Sequence, residues 1–171
     1  MFALQKRISI GANWEPFSSK VVASDVINDV AILKTDESPF GDAPQFAPMK
    51  IGNAELTAHF ATATLNPDLP KPGQQALLAG YPLGQPYLIV QEGNIAALAF
   101  DLPGWPPTNK ILVSTFSNHG NSGAPVFDMQ GKVIGVLEGE DRAQGQDQER
   151  TGISVVIPAF FVSELAKTIA P

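Results

Sequence analysis

His119-Gly120-Asn121-Ser122-Gly123-Ala124-Pro125-Val126-Phe127 is a polar, glycine-flanked loop that feeds straight into an apolar strand. A reactive serine suits such a place. Glycines beside Ser122 let the backbone turn sharply and aim successive N–H groups at one spot, where they can hold the oxyanion of an acyl-transfer intermediate. Gly120 and Ser122 are the candidate oxyanion donors, and Ser122 is the candidate nucleophile. Taken alone, Gly-x-Ser-Gly is also an ordinary turn, so its meaning depends on the rest of the chain.

Outward from that loop, apolar runs with period two or no break occur at Ile8–Ile10, Phe17–Ala23, Val30–Leu33, Ala76–Ala79, Tyr87–Phe100, Lys110–Phe116, Ala124–Phe127, Lys132–Leu137 and Ile153–Ile157. Most are bounded by Gly, Pro, Asn or Asp, which marks them as strands closed by turns. No amphipathic helix separates them, so an all-β sandwich or pair of barrels fits better than a parallel α/β sheet. The spacing favours barrels. One helix is expected at the end, where Pro158 can occupy the first turn and Phe160, Phe161, Leu165 and Ile169 recur at helical spacing before Pro171. Residues 57–72 and 143–150 read as long surface loops.

Composition narrows the function. The 171 residues are 44% hydrophobic and 16% charged, with fifteen Gly and fifteen Pro, enough apolar content to bury a core. A net charge of −6, with the eleven Lys and Arg scattered, makes nucleic acid a poor partner. The chain has no cysteine, which removes thiol chemistry and disulfides and leaves the compartment open. No signal peptide is legible in Met1–Arg7, and no apolar run reaches the length of a membrane span. No His/Glu or Asp cluster has the spacing of metal ligands, so no metal is expected.

The loop resembles the Gly-Asn-Ser-Gly-Gly-Pro nucleophile segment of trypsin-like serine peptidases, above all the bacterial HtrA type, and Asp128–Val136 continues it as strand, turn and strand. Further segments match in the family's order: Lys20–Asp25; Asn28-Asp29-Val30-Ala31-Ile32-Leu33-Lys34, which resembles the segment bearing the triad aspartate; Gly80–Gly84; Gln91–Leu98; and Gly152–Pro158. The resemblance implies a chymotrypsin-like double β-barrel with an incomplete first barrel. The domains it implies are a first barrel over 1–84, a second over 85–157, and a helix over 158–171 that packs on the body. Asp29 is the triad candidate because it alone directly precedes the Val-Ala-Ile-Leu run; Asp25 and Asp36 read as surface turns. Glu138-Gly139-Glu140 by resemblance lines the primary specificity pocket. Carboxylates there would favour a basic side chain, but the same residues also read as solvent-facing charges.

Departures from the family are as informative. Its general base is a histidine on the first barrel well before the aspartate, yet none of the twenty-eight residues preceding Asp29 is histidine. The expectation is that the chain starts inside the fold and that this histidine lies upstream. His59 follows Asp29 in a stretch that looks inserted, and His119 sits inside the nucleophile loop; neither is well placed as a substitute. Ala124 stands where the family has a second glycine, tolerable if its φ is negative. The implied activity is endopeptidase hydrolysis of protein or peptide substrates, with Ser122, Asp29 and an upstream histidine as the triad and with no metal or organic cofactor needed. The alternatives are an inactive peptide-binding module of the same fold, or an unrelated β-rich protein. The oligomeric state is left open, and export to the periplasm is expected from the family alone.

Overall fold

β-Branched and alternating apolar residues make most of the described residues strand, as a computed structural model shows; it describes residues 6–10, 13–17, 19–35, 49–51, 54–56, 63–85, 87–99, 109–142 and 150–169. The chain divides into two compact units, Met1–Ala23 with Ala31–Thr62, and Ser24–Val30 with Ala63–Pro171.

The strands lying wholly or mostly in the first unit are β1 (Lys6–Ile10), β2 (Asn13–Phe17), β3 (Ser19–Asp25), β4 (Val30–Thr35), β5 (Met49–Ile51) and β6 (Ala54–Leu56). They pair as three two-stranded ladders, β1–β2, β3–β4 and β5–β6. Three of these strands are absent from the sequence reading. β2 contains Pro16, which normally argues against a strand, and β5 and β6 are three residues each, too short for a period to register. The turn between β3 and β4 groups with the second unit.

In the second unit β7 (Gln75–Gly80), β8 (Ile89–Ala99), β9 (Lys110–Val113), β10 (Pro125–Phe127), β11 (Val133–Arg142) and β12 (Arg150–Pro158) close a barrel in the order β10-β11-β12-β9-β8-β7. Buried and less buried residues alternate along β7, β9 and β10, as a one-sided sheet requires, whereas Val133–Gly135 of β11 and Val156–Pro158 of β12 are buried in succession. Ala76, Leu78, Ile95, Ile111, Val113, Val126, Ile134, Leu137 and Val156 form one buried cluster inside it. Each large aliphatic side chain buried there contributes about 1.5–3 kcal/mol.

Division at residue 84 would assign Gln75–Gly80 to the first barrel. In the structure this strand belongs to the closed one, pairing with β8 from Gln75↔Asn94 to Gly80↔Ile89 and with β10 at Val126↔Leu78. Glycine and proline after residue 80 mark where a strand stops, not which sheet it joins. Residues 63–72, the described part of the stretch 57–72 read as a long surface loop, are tied down: Leu65 bridges Val133, whose carbonyl accepts the Asn66 N–H at 2.8 Å, and the Asn66 side chain donates to Asp128 at 3.1 Å.

The helix α1 spans Ala159–Ala166 and packs against β11 and β12. It starts one residue later than expected, because Pro158 is still the last residue of β12 and fills the N-cap place. It also ends earlier, with Lys167 as C-cap. No helix among the described residues is long and apolar enough to cross a membrane.

Candidate active site

Two consecutive tight turns build the loop between β9 and β10. Asn121 N–H donates to the Asn118 carbonyl at 3.0 Å, and Ala124 N–H donates to the Asn121 carbonyl at 2.8 Å. Glycine occupies the third position of both, Gly120 with φ 97° and Gly123 with φ 86°, where a type II turn requires positive φ. A side chain at Gly120 would also meet the Tyr81 carbonyl at 2.8 Å. Ala124, where the family has glycine, is outside the positive-φ region, so its methyl group causes no backbone strain.

The loop is anchored from both ends. Gly123 N–H donates to the Leu137 carbonyl at 2.8 Å, and Leu137 N–H returns a bond to the Ala124 carbonyl at 2.9 Å. At the other end the buried Ser154 hydroxyl donates to the Thr115 carbonyl at 2.8 Å. The His119 carbonyl accepts the Leu83 N–H at 2.7 Å, so across the trans peptide the Gly120 N–H points the opposite way. Among the described residues neither the Gly120 nor the Ser122 N–H has an acceptor, and the Ser122 hydroxyl is likewise without a partner. Ser122 is exposed at the crest of the second turn, while its neighbour Asn121 is buried.

Ser122 and His119 border a cleft of about 340 Å³ whose far wall is Gly139, Glu140 and Arg150. Ser117 and Asn118 complete the lining. Glu138 does not line it, a correction to the trio expected there. The reason is a bulge between Leu137 and Gly139, which leaves Glu138 as the extra residue opposite β12. In an unbroken strand residues 138 and 140 would share a face; here Glu138 pairs with Lys110 at 2.8 Å, while Glu140 turns into the cleft.

Glu140, with its side chain only 9% exposed, is held by Arg150, whose Nε lies 2.7 and 2.8 Å from the two carboxylate oxygens. The Arg150 Nη2 donates to the Ser117 carbonyl and, at 3.0 Å, to Asn118 Oδ1, and the guanidinium lies 5.7 Å from the centre of the Phe116 ring. Nothing in the sequence singles out Arg150, which reads as part of a polar loop. It is the first residue of β12, opposite Arg142 and diagonally across from Glu140. Asn121, also unremarked, carries a buried Oδ1 without a hydrogen-bond partner.

Asp29 is exposed in the β3–β4 turn at φ 55° and does not line the cleft. The turn is organised instead by Asp25, which accepts from Ile27 N–H at 3.0 Å and Asn28 N–H at 3.1 Å, and from the Asn28 side chain at 2.6 Å. The Asn28 side-chain amide, then its backbone N–H, hold the Asp25 carboxyl below its ordinary pKa. Reading Asp25 as a turn residue agrees with this; Asp36 and His59 lie outside the described residues. Among the described residues no three His, Asp or Glu side chains converge to hold a metal ion.

Residues 3–136 match the family model of the trypsin-like peptidase domain. A probable periplasmic serine endoprotease DegP-like of Pseudomonas fluorescens is 29% identical over 160 residues, covering 92% of this chain and 29% of that protein. The chloroplastic Protease Do-like 2 of Arabidopsis thaliana is 27% identical over 155 residues, covering 86% of this chain and 21% of that protein. The chain therefore spans less than a third of these curated relatives. Among solved structures, the active form of the Rv3671c protease from M. tuberculosis superposes with a TM-score of 0.62 at 23% identity, covering 91% of this chain and 60% of that one. At that identity the likeness is one of fold.

Proposed function

We propose that this chain, which belongs to the family of trypsin-like peptidase domains, is the part of a serine endopeptidase that supplies the nucleophile Ser122 and the oxyanion donors Gly120 N–H and Ser122 N–H. The observation that carries the proposal is an exposed serine on a glycine-built turn, beside a cleft, with both adjacent amides unpaired among the described residues. Donors without internal partners are free for a developing oxyanion, and preorganised donors of this kind lower the barrier by about 3–4 kcal/mol each. Asp29 orients the base in this reading, and the base is a histidine from outside this sequence. Its acylation step is attack of the Ser122 hydroxyl on a peptide carbonyl, with that histidine taking the proton and returning it to the leaving amine; water, deprotonated by the same histidine, then releases the acyl group from Ser122 as a carboxylic acid. The substrate is protein or peptide, and export to the periplasm follows the names of the bacterial relatives.

A second reading rests on Asp29, exposed and without a partner among the described residues. In it the domain keeps the cleft and binds peptides without cutting them. Labelling of the full-length protein with a fluorophosphonate separates the two. The peptidase reading expects labelling that disappears in Ser122→Ala; absence of labelling in the folded wild-type protein leaves the binding module.

A further inference from the structure

The cleft beside Ser122 holds a carboxylate, and a carboxylate in a pocket ordinarily recruits a basic side chain. Here that carboxylate is already answered from within. Glu140 receives the Arg150 Nε on both oxygens, at 2.7 and 2.8 Å, and its side chain is 9% exposed. Arg150 is in turn fixed by the Ser117 carbonyl, by Asn118 Oδ1 and by the face of Phe116. Of the other charged groups nearby, Glu138 is paired with Lys110 away from the cleft wall. His119, at the rim, is the remaining titratable side chain among the lining residues.

We infer that the Glu140–Arg150 pair sets the charge preference of this cleft: it is internally neutral, excludes lysine and arginine side chains, and takes an uncharged one. The inference rests on the reading of the cleft as the substrate pocket of Ser122. A cation entering the cleft would have to displace a guanidinium that has three other contacts, or face it as a like charge. An uncharged group meets neither cost. Removing either member of the pair exposes the charge of the other, since breaking a shielded ion pair leaves an uncompensated partner.

The test uses three planar probes of nearly equal size, benzamidine (cation), benzamide (neutral) and benzoate (anion), with binding to the full-length protein measured by ligand-observed NMR titration. The wild-type protein is expected to bind benzamidine no tighter than benzamide. Arg150→Gln is expected to shift the benzamidine-to-benzamide ratio towards the cation by about tenfold, the gain that one charge-assisted hydrogen bond gives. Glu140→Gln leaves the Arg150 contacts to Ser117 and Asn118 in place, and so remains informative if Arg150→Gln unfolds the loop; it is expected to shift the ratio about tenfold towards benzoate. A wild-type preference for benzamidine, or no change of charge preference in the folded variants, overturns the inference. Because these ratios do not require acyl transfer, they are expected to be unchanged in Ser122→Ala. Absence of fluorophosphonate labelling in the folded wild-type protein, with these ratios as expected, therefore counts against the peptidase reading alone.

Discussion

A methyl group at residue 80 is the sharpest probe of how the nucleophile loop is seated on the barrel. Built at Gly80, it would lie 2.5 Å from Asn121 Oδ1 and 3.2 Å from the Ala124 Cβ. The first distance is about 1 Å inside the optimum for non-bonded heavy atoms. Asn121 is 1% exposed, so its amide cannot swing into solvent to make room. Overpacking of this kind costs about 1–3 kcal/mol, which for Gly80→Ala lowers Tm by about 2–4 °C per kcal/mol at this chain length. Asn121→Ala removes the obstructing oxygen, an acceptor left without a partner, and is expected to change stability by less than about 1 kcal/mol, the recovered desolvation offsetting the small cavity. In the Asn121→Ala background the new methyl group should then cost less, giving a coupling of about 1–2 kcal/mol in a double-mutant cycle. Urea unfolding of the four proteins, followed by far-ultraviolet circular dichroism, measures it. An equal penalty for Gly80→Ala in both backgrounds would refute the seating of Asn121 against β7.

Other outcomes follow from the same geometry. Gly120→Ala puts a side chain at φ 97°, with its Cβ 2.8 Å from the Tyr81 carbonyl, and is expected to turn the 119–120 peptide and lower kcat by about 10²–10³, with little change in KM. Asp29→Asn is expected to lower kcat by about 10⁴ if the residue orients the base, and to leave Tm unchanged because its side chain is exposed and unpaired among the described residues. At Asp128 partial burial pushes the carboxyl up, but bonds from Lys132 N–H, the Asn66 side chain and Gln130 N–H outweigh it and hold the pKa below its ordinary value. A pKa lowered by folding adds stability above the unfolded value of about 4 and loses it as pH falls through the folded value. The stability difference between wild type and Asp128→Asn should therefore be largest near neutral pH and shrink below about pH 4, as acid titrations of Tm will show.

Much of this molecule is legible in one dimension because its signals are local. The runs at Ala76–Ala79 and Ile153–Ile157 fall inside β7 and β12, and that at Lys132–Leu137 falls inside β11 except for its first residue, since a half-buried strand must alternate or stay apolar wherever it is in the fold. The loop 119–123 is equally local: glycines at 120 and 123 are what two turns with positive φ require, and they present Ser122 whatever surrounds it. The short strands β5 and β6 carry too few residues to show a period, and so escape such a reading.

What the chain order could not settle is everything that depends on which distant residues meet. Strand β7 joins the closed barrel through partners at residues 89–94 and 126–127, a choice made by pairing across the sheet and invisible in its own six residues. Glu138 and Glu140 are chemically alike and two apart, yet one bulge sends the first to Lys110 and the second into the cleft. Arg150 acquires its meaning only because the barrel carries it back to segment 117–118, more than thirty residues earlier. Local sequence determined the serine and its turn; the folded barrel alone determined the charge of the cleft beside it, because charge in a pocket is a sum over residues that only closure brings within hydrogen-bonding reach.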